Sequence, residues 1–284
     1  MSPRKRWGWR QRVAWLVLAV FLAVCVDGFY VEPARLVERN YTLPLSNWPA
    51  ACDGLRVDAI TDTHTGSPRN GLDKLDRIVA RLVASDADIV VMTGDYVILS
   101  VLAGTYIPAA TIAEHLKPLT ARKPVYAVLG NHDWWKNGPR VSRAFAAVGI
   151  RMIDNMALPI EAGGCHFWLA GLGDLLEGRP EVHATFAMVP PDAPVIAITH
   201  EPALWPRLPA QATLTVAGHT HGGQINPFGL LTPRRFKPYS NQLKGIYVES
   251  GRSLFVSSGI GTSILPMRLG GPPEISRLTL RSKR

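Results

Sequence analysis

Five short polar clusters hold most of the chemistry available to this 284-residue sequence. In chain order they are Asp62-Thr63-His64, Gly94-Asp95, Gly130-Asn131-His132-Asp133, Thr199-His200-Glu201 and Gly218-His219-Thr220-His221. His115, His166 and His183 fall outside them. A mixture of imidazole, carboxylate and amide oxygen suits Mn2+, Fe2+/3+ or Zn2+ better than Ca2+ or Mg2+, which favour oxygen alone. The set Asp62, His64, Asp95, Asn131, His200, His219 and His221 is too large for a closed four-ligand zinc site. It has the size needed for two ions sharing one carboxylate. Side chains at i and i+2 of an extended segment point the same way, so Asp62 and His64 are expected to face one ion. By the same spacing His219 and His221 are expected to project side by side. No G-x-S-x-G elbow and no Walker A loop occurs, which removes support for the esterase and nucleoside-triphosphatase chemistries built on them.

Such clusters need elements that bring them to one place. Each follows a predicted strand: 55–61, 88–93, 124–129, 194–199 and 213–217. Carboxyl ends of strands are where open sheets build their sites. Helices are expected over 71–85, 109–121 and 140–148, the last behind Pro139, and they make the first half a βαβαβ unit. The second half is rich in strands, with 157–162, 165–170, 245–249, 252–257 and 275–280 added and one short helix at 203–208. An α/β half followed by a strand-rich half implies two sheets sharing one core, with helices outside. Residues 54–281 are expected to form that domain. Residues 32–53, with Pro33, Pro44 and Pro49 and little periodicity, read as a tether, and 282–284 as a basic tail.

Asp62-x-His64, Gly94-Asp95, Gly130-Asn131-His132-Asp133, His200 and Gly218-His219-x-His221 match, in order, the five blocks of the calcineurin-like metallophosphoesterases. Over roughly residues 54–260 the chain resembles that superfamily. Gly222-Gly223-Gln224 and an apolar N-terminal segment make it similar to the bacterial YkuE/YaeI-type phosphodiesterase branch. The resemblance implies a four-layer αββα sandwich of two mixed β-sheets with a dinuclear metal centre at one edge. It implies that Asp62, His64 and His221 hold one ion, that Asn131, His200 and His219 hold the other, and that Asp95 bridges them. It also gives His132 a role on the substrate phosphate and the leaving group; Asp133, next in the chain, is expected to orient that imidazole by accepting its other N–H. The implied reaction is phosphoester hydrolysis by attack of metal-bound hydroxide.

Composition bounds the setting. At 47% hydrophobic and 19% charged residues the chain is ordinary globular material, neither disordered nor a disulfide-stapled miniprotein. Lys and Arg number 31 against 22 acids, a net charge of +9. Nine of those cations lie in residues 1–12 and 277–284, so the middle is neutral and specific nucleic-acid binding is not expected. Basic ends beside an apolar run suit anionic lipid instead. Val13 to Val26 carries no charge, and the basic segment upstream makes 1–31 read as a signal anchor with the catalytic domain on the periplasmic side of the bacterial inner membrane. Cleavage would leave it periplasmic or secreted. Cys52 and Cys165 are either a disulfide pair or two buried thiols. A monomer is expected.

Two loops bear on substrate choice. Tyr96 to Ile107 is uncharged and is expected either to form an apolar wall for an acyl chain or a face resting on the bilayer, or to pack as core beneath the 109–121 helix. Arg234, Arg235 and Lys237 on the 225–240 loop are candidates, with Tyr96, for substrate contact. A lipid or cell-envelope phosphoester, met at a membrane surface, is the favoured substrate. The alternatives are a nucleotide-sugar diphosphate of the UDP-diacylglucosamine kind, broad nuclease or phosphatase activity, and a non-catalytic metal-stabilised binding protein.

Overall fold

The computed structural model describes residues 8–230 and 242–283. The uncharged N-terminal run forms α1 (Trp9–Val26), and none of its residues is buried. It continues through a π-helical turn, Asp27–Val31, into α2 (Glu32–Ala34). The stretch Trp9–Ala34 is long and apolar enough to cross a bilayer.

The expected tether is structured. Residues 37–45 form β1 (Val37–Leu45), with Leu43 and Leu45 fully buried. It pairs in parallel with the C-terminal strand β12 (Glu274–Ser282), which also absorbs Ser282 of the expected tail. Prolines argued against a strand here, but β1 lies at a sheet edge, where Pro44 leaves no ladder donor missing.

The first sheet runs β1-β12-β2-β3-β4-β5, with β2 (Arg56–Ile60), β3 (Ile89–Met92), β4 (Val125–Ala127) and β5 (Arg151–Met152) mutually parallel and β12 antiparallel to β2. The second contains β6 (Met156–Ala162), β7 (Cys165–Gly171), β8 (Val195–Ile198), β9 (Ala212–Ala217), β10 (Gly245–Glu249) and β11 (Arg252–Val256), ordered β10-β11-β9-β8-β7-β6. Parallel β7, β8, β9 and β11 are flanked by antiparallel β6 and β10, so both sheets are mixed.

Period-2 alternation divides the strand side chains between faces. Val57, Ala59, Ile89 and Val91 meet Phe167, Leu169, Ile196 and Leu214 between the sheets. Ile60, Val90 and Met92 turn outward against α3 (Leu72–Val83), α4 (Ala109–Thr120) and α5 (Asn131–Ala146). On the far side Val195, Ala197 and Val256 pack with Phe186 of α6 (Val182–Ala187) and with Leu204 and Trp205. The layers are helix, sheet, sheet, helix. α6 was not expected from the sequence, whereas the 203–208 expectation corresponds to a 3-10 turn at Pro202–Arg207. Cys52 and Cys165 are disulfide bonded, which fastens the segment before β2 to β7 of the opposite sheet.

Candidate metal centre

Strands β2, β3, β4, β8 and β9 end at the same edge, and each is followed by one polar cluster. Asp62 and His64 follow β2, Asp95 follows β3, His200 follows β8, and His219 and His221 follow β9. Asn131 and His132 open α5, which therefore starts nine residues before the expected helix. A backbone break at Asn137 (φ 154°) divides α5, and Pro139 stands just beyond it, at the start of the second segment.

The clusters converge for a different reason from the one the spacing suggested. Asp62, His64, Asp95, His219 and His221 all have positive φ, between 37° and 68°. The backbone curls left-handed at each, so period-2 alternation of an extended strand does not aim these side chains. Non-glycine residues there cost about 1–3 kcal/mol each and persist where the surroundings hold them. One constraint is close packing: a Cβ at Gly130 would stand 2.4 Å from Asp95 Oδ1, so only glycine lets β4 approach. Another is hydrogen bonding: Asp62 accepts the His219 N–H at 3.0 Å, and Asp95 Oδ1 accepts the His132 N–H at 2.9 Å.

The side chains form two groups. In the first, His64 Nε2 lies 3.1 Å from His221 Nε2, which is 3.5 Å from Asp62 Oδ1. In the second, His200 Nε2 lies 3.2 Å from Asn131 Oδ1 and 3.1 Å from His219 Nδ1. Asp95 Oδ2 stands between, 3.4 Å from His64 Nε2 and 3.4 Å from His200 Nε2. His219 and His221 are thus shared out, one to each group, rather than side by side. Donors around one ion at bond lengths of about 2.1 Å are separated by about 3.0–3.4 Å in tetrahedral or octahedral geometry. The observed separations, 3.1–3.5 Å, are close to that spacing, and the donor set fits two borderline cations.

Electrostatics point the same way. Burial pushes His64 and His219 down to about 3 and His221 well below its usual value, leaving neutral imidazoles with lone pairs to offer. Burial would also lower His200, but Asp95, helped by Asp62 and Glu201, raises it well above the usual range. Its Nδ1–H donates to the Thr93 carbonyl at 2.7 Å, which directs Nε2 into the centre. Burial and the Asp95 charge push Asp62 up to about 6. Burial would raise Asp95 too, yet His200 and His64 hold it well below the carboxylate range. Cation binding requires the deprotonated forms, so it would displace protons only from His200 and Asp62.

Other expected site residues are placed differently. His132 lines the cleft beside Asp95, Asn131 and His219, and its Nδ1 is buried without a partner among the described residues. Among the described residues, no hydrogen bond joins the Asp133 carboxylate to that Nδ1. The Asp133 carboxylate instead accepts the N–H groups of Asp95, Tyr96, Val97 and Gly130 at 2.9–3.2 Å, so it fixes the Asp95 loop. Tyr96 is not available to substrate. It is fully buried against Phe145, and its hydroxyl donates to the Val128 carbonyl at 2.6 Å and lies 3.0 Å from that of Met92. The 96–107 loop divides, with Tyr96, Val97 and Ile98 in the core and Leu99 and Leu102 exposed. Arg234, Arg235 and Lys237 lie outside the described residues.

The sequence reading missed the segment after β11. A Cβ at Gly259 would meet Asp62 and one at Gly261 would meet His64, at 2.8 and 2.5 Å. Arg268 is buried behind them, bonded to the carbonyls of Gly261, Gly271 and Ser258, with Nη2 3.4 Å from His221 Nδ1. The available signal was Ser257-Ser258-Gly259-Ile260-Gly261, small residues directly after a strand.

A model of the calcineurin-like phosphoesterase family matches residues 55–223. The uncharacterized metallophosphoesterase YkuE of Bacillus subtilis (strain 168) is 29% identical over 259 residues, covering 89% of this chain and 88% of that protein. Phosphodiesterase YaeI of Escherichia coli (strain K12) is 25% identical over 217 residues, covering 71% and 73%. A transmembrane protein with metallophosphoesterase domain from Danio rerio is 28% identical over 290 residues, 96% of this chain but 63% of the fish protein.

Proposed function

The chain belongs to the calcineurin-like phosphoesterase family, metal-dependent hydrolases of phosphoesters, and from that premise we propose that it is a membrane-anchored phosphodiesterase acting on a lipid or cell-envelope phosphoester. The observation that carries the reading is Asp95 Oδ2 at equal distance from His64 and His200, one from each donor group. Asp62, His64 and His221 would hold the first ion, Asn131, His200 and His219 the second, and Asp95 would serve both. When bound, such a pair of ions draws charge from phosphate oxygens and lowers the pKa of water toward neutrality.

The chain's own residues do the rest. Asp133 pins the backbone of the Asp95 loop, so the shared carboxylate is fixed before substrate arrives. His132, which lines the cleft beside Asp95, Asn131 and His219, binds a phosphate oxygen and supplies a proton to the departing oxygen. No protein nucleophile takes part.

The phosphodiester preference is supported by the name given to YaeI. The anchor is supported by the apolar helix Trp9–Ala34 and by the transmembrane naming of the Danio rerio relative. A periplasmic catalytic domain agrees with the Cys52–Cys165 disulfide, since oxidising compartments preserve such bonds. The test is hydrolysis of monoester, diester, nucleotide-sugar and phospholipid substrates with Mn2+, Zn2+, Fe2+ and Mg2+ added separately. Diesters and phospholipids are expected to turn over, and His132→Ala is expected to lower turnover while keeping both ions. Full turnover by His132→Ala on every substrate would remove that residue from the reaction.

A further inference from the structure

The base of α1 is built into the catalytic domain. The Gly28 carbonyl accepts the Arg268 N–H at 2.9 Å, and a Cβ at Gly28 would collide with Met267. Buried Glu32 accepts the N–H groups of Gly270 and Gly271 at 3.0 and 2.6 Å. Lys74 of α3 donates to the Pro33 carbonyl at 2.6 Å. The contacts of Gly28 and Glu32 grip one end of the 259–271 loop, and that of Lys74 ties the helix base to α3.

The other end of that loop reaches the cleft. Gly261 packs on His64, while Ser263 and Ile264 line the opening with Asp95 and His132. Ile264 is 73% exposed and has φ of +62°, a strained conformation for a β-branched residue, here aiming an apolar side chain into solvent. Its carbonyl accepts the Leu102 N–H at 3.0 Å, which places Leu102, 66% exposed, beside it. Leu265 is exposed as well. Leu265 is three positions from Arg268, so it lies within about 11 Å of the grip on α1. Two cation–tyrosine pairs lie on neighbouring segments: Arg69 over Tyr30, two positions from Gly28, at 4.6 Å, and Lys136 over Tyr106, four positions from Leu102, at 4.6 Å. Apolar side chains mixed with cations and tyrosines are the composition of a surface that rests in lipid headgroups.

We propose that Leu102, Ile264 and Leu265 form a rim seated in the same bilayer that α1 crosses, so that the metal cleft opens onto the membrane surface and takes phosphoesters of lipids lying in it. The occupant of the rim is the bilayer because the loop bearing Ile264 and Leu265 is the loop the anchor holds. The substrate part rests on the phosphoesterase reading above; the seating does not.

The test uses full-length protein in vesicles of equal parts phosphatidylcholine and phosphatidylglycerol. A nitroxide at Leu102→Cys, in a Cys25→Ser background that removes the free thiol, is expected to be accessible to oxygen and shielded from a nickel chelate. A nitroxide at exposed Met188 is expected to show the reverse. Accessibility of the Leu102 label to nickel would overturn the seating, and shielding from both reagents would assign the rim to a protein contact and overturn it too. In the second arm, Leu102→Gln with Leu265→Gln is expected to slow turnover of the vesicle lipid about tenfold, from lost apolar insertion. Turnover of bis(p-nitrophenyl) phosphate should stay unchanged. Equal loss on both substrates, or on neither, would overturn the proposal. If wild-type protein hydrolyses neither substrate with any of Mn2+, Zn2+, Fe2+ and Mg2+, the phosphoesterase reading fails, while the nitroxide result still decides the seating.

Discussion

At the residue scale, the candidate donors were readable because side chains able to bind a metal are few in kind and cluster visibly. What escaped the sequence was what each polar residue does when it is not a donor. Asp133 and Tyr96 sit beside ligands and invite catalytic readings, yet both are occupied by backbone groups that only the folded chain brings near. Tyr96→Phe should therefore destabilise the protein by about 1–3 kcal/mol, because the Gly94 N–H loses its acceptor and the Val128 carbonyl its donor. KM for a soluble diester should not move; chemical denaturation beside steady-state kinetics checks both halves. Asp133→Asn removes acceptor capacity from the Asp95 loop and should weaken metal affinity about 10–100-fold, as loss of an outer support usually does. Turnover of the metal-saturated variant should be preserved. A variant with full affinity but crippled turnover would restore Asp133 as an orienting partner of His132.

At the scale of elements, the strands ending at the metal edge were legible because short β-branched runs bounded by glycine are strong signals. Their parallel order followed from the intervening helices. Three features were hidden for physical reasons. β1 carries Pro44 and gains its partner, β12, from the far end of the chain, a pairing that local pattern cannot reveal. α6 has only six residues, too few to show a period. The left-handed turns at Asp62, His64, Asp95, His219 and His221 are imposed by neighbouring loops, against the preference of those residues. The Cys52–Cys165 bond closes a span of 113 residues between the sheets. Replacing both cysteines with serine should cost about 2–5 kcal/mol of stability. Activity at low temperature should survive, because the bond ties strands rather than ligands; thermal denaturation with and without reductant measures the difference.

At the scale of the molecule, an apolar helix with no buried residue leads directly into a domain whose loops hold its base. Removing residues 1–26 leaves Gly28 and Glu32 in place, so the shortened chain should stay in solution without detergent and still hydrolyse a soluble diester. The full chain should sediment with membranes, and fractionation of the two forms distinguishes anchoring from core packing of α1. The number of ions per folded chain is the quantity on which the rest depends. The most direct measurement is elemental analysis of Mn2+-saturated protein joined to anomalous diffraction from its crystals. Two ions should be found per chain, one on each side of the Asp95 carboxylate, with occupancy and activity falling together in Asp95→Asn. A single ion at saturation, or two with Asp95 touching neither, would contradict the shared-carboxylate centre.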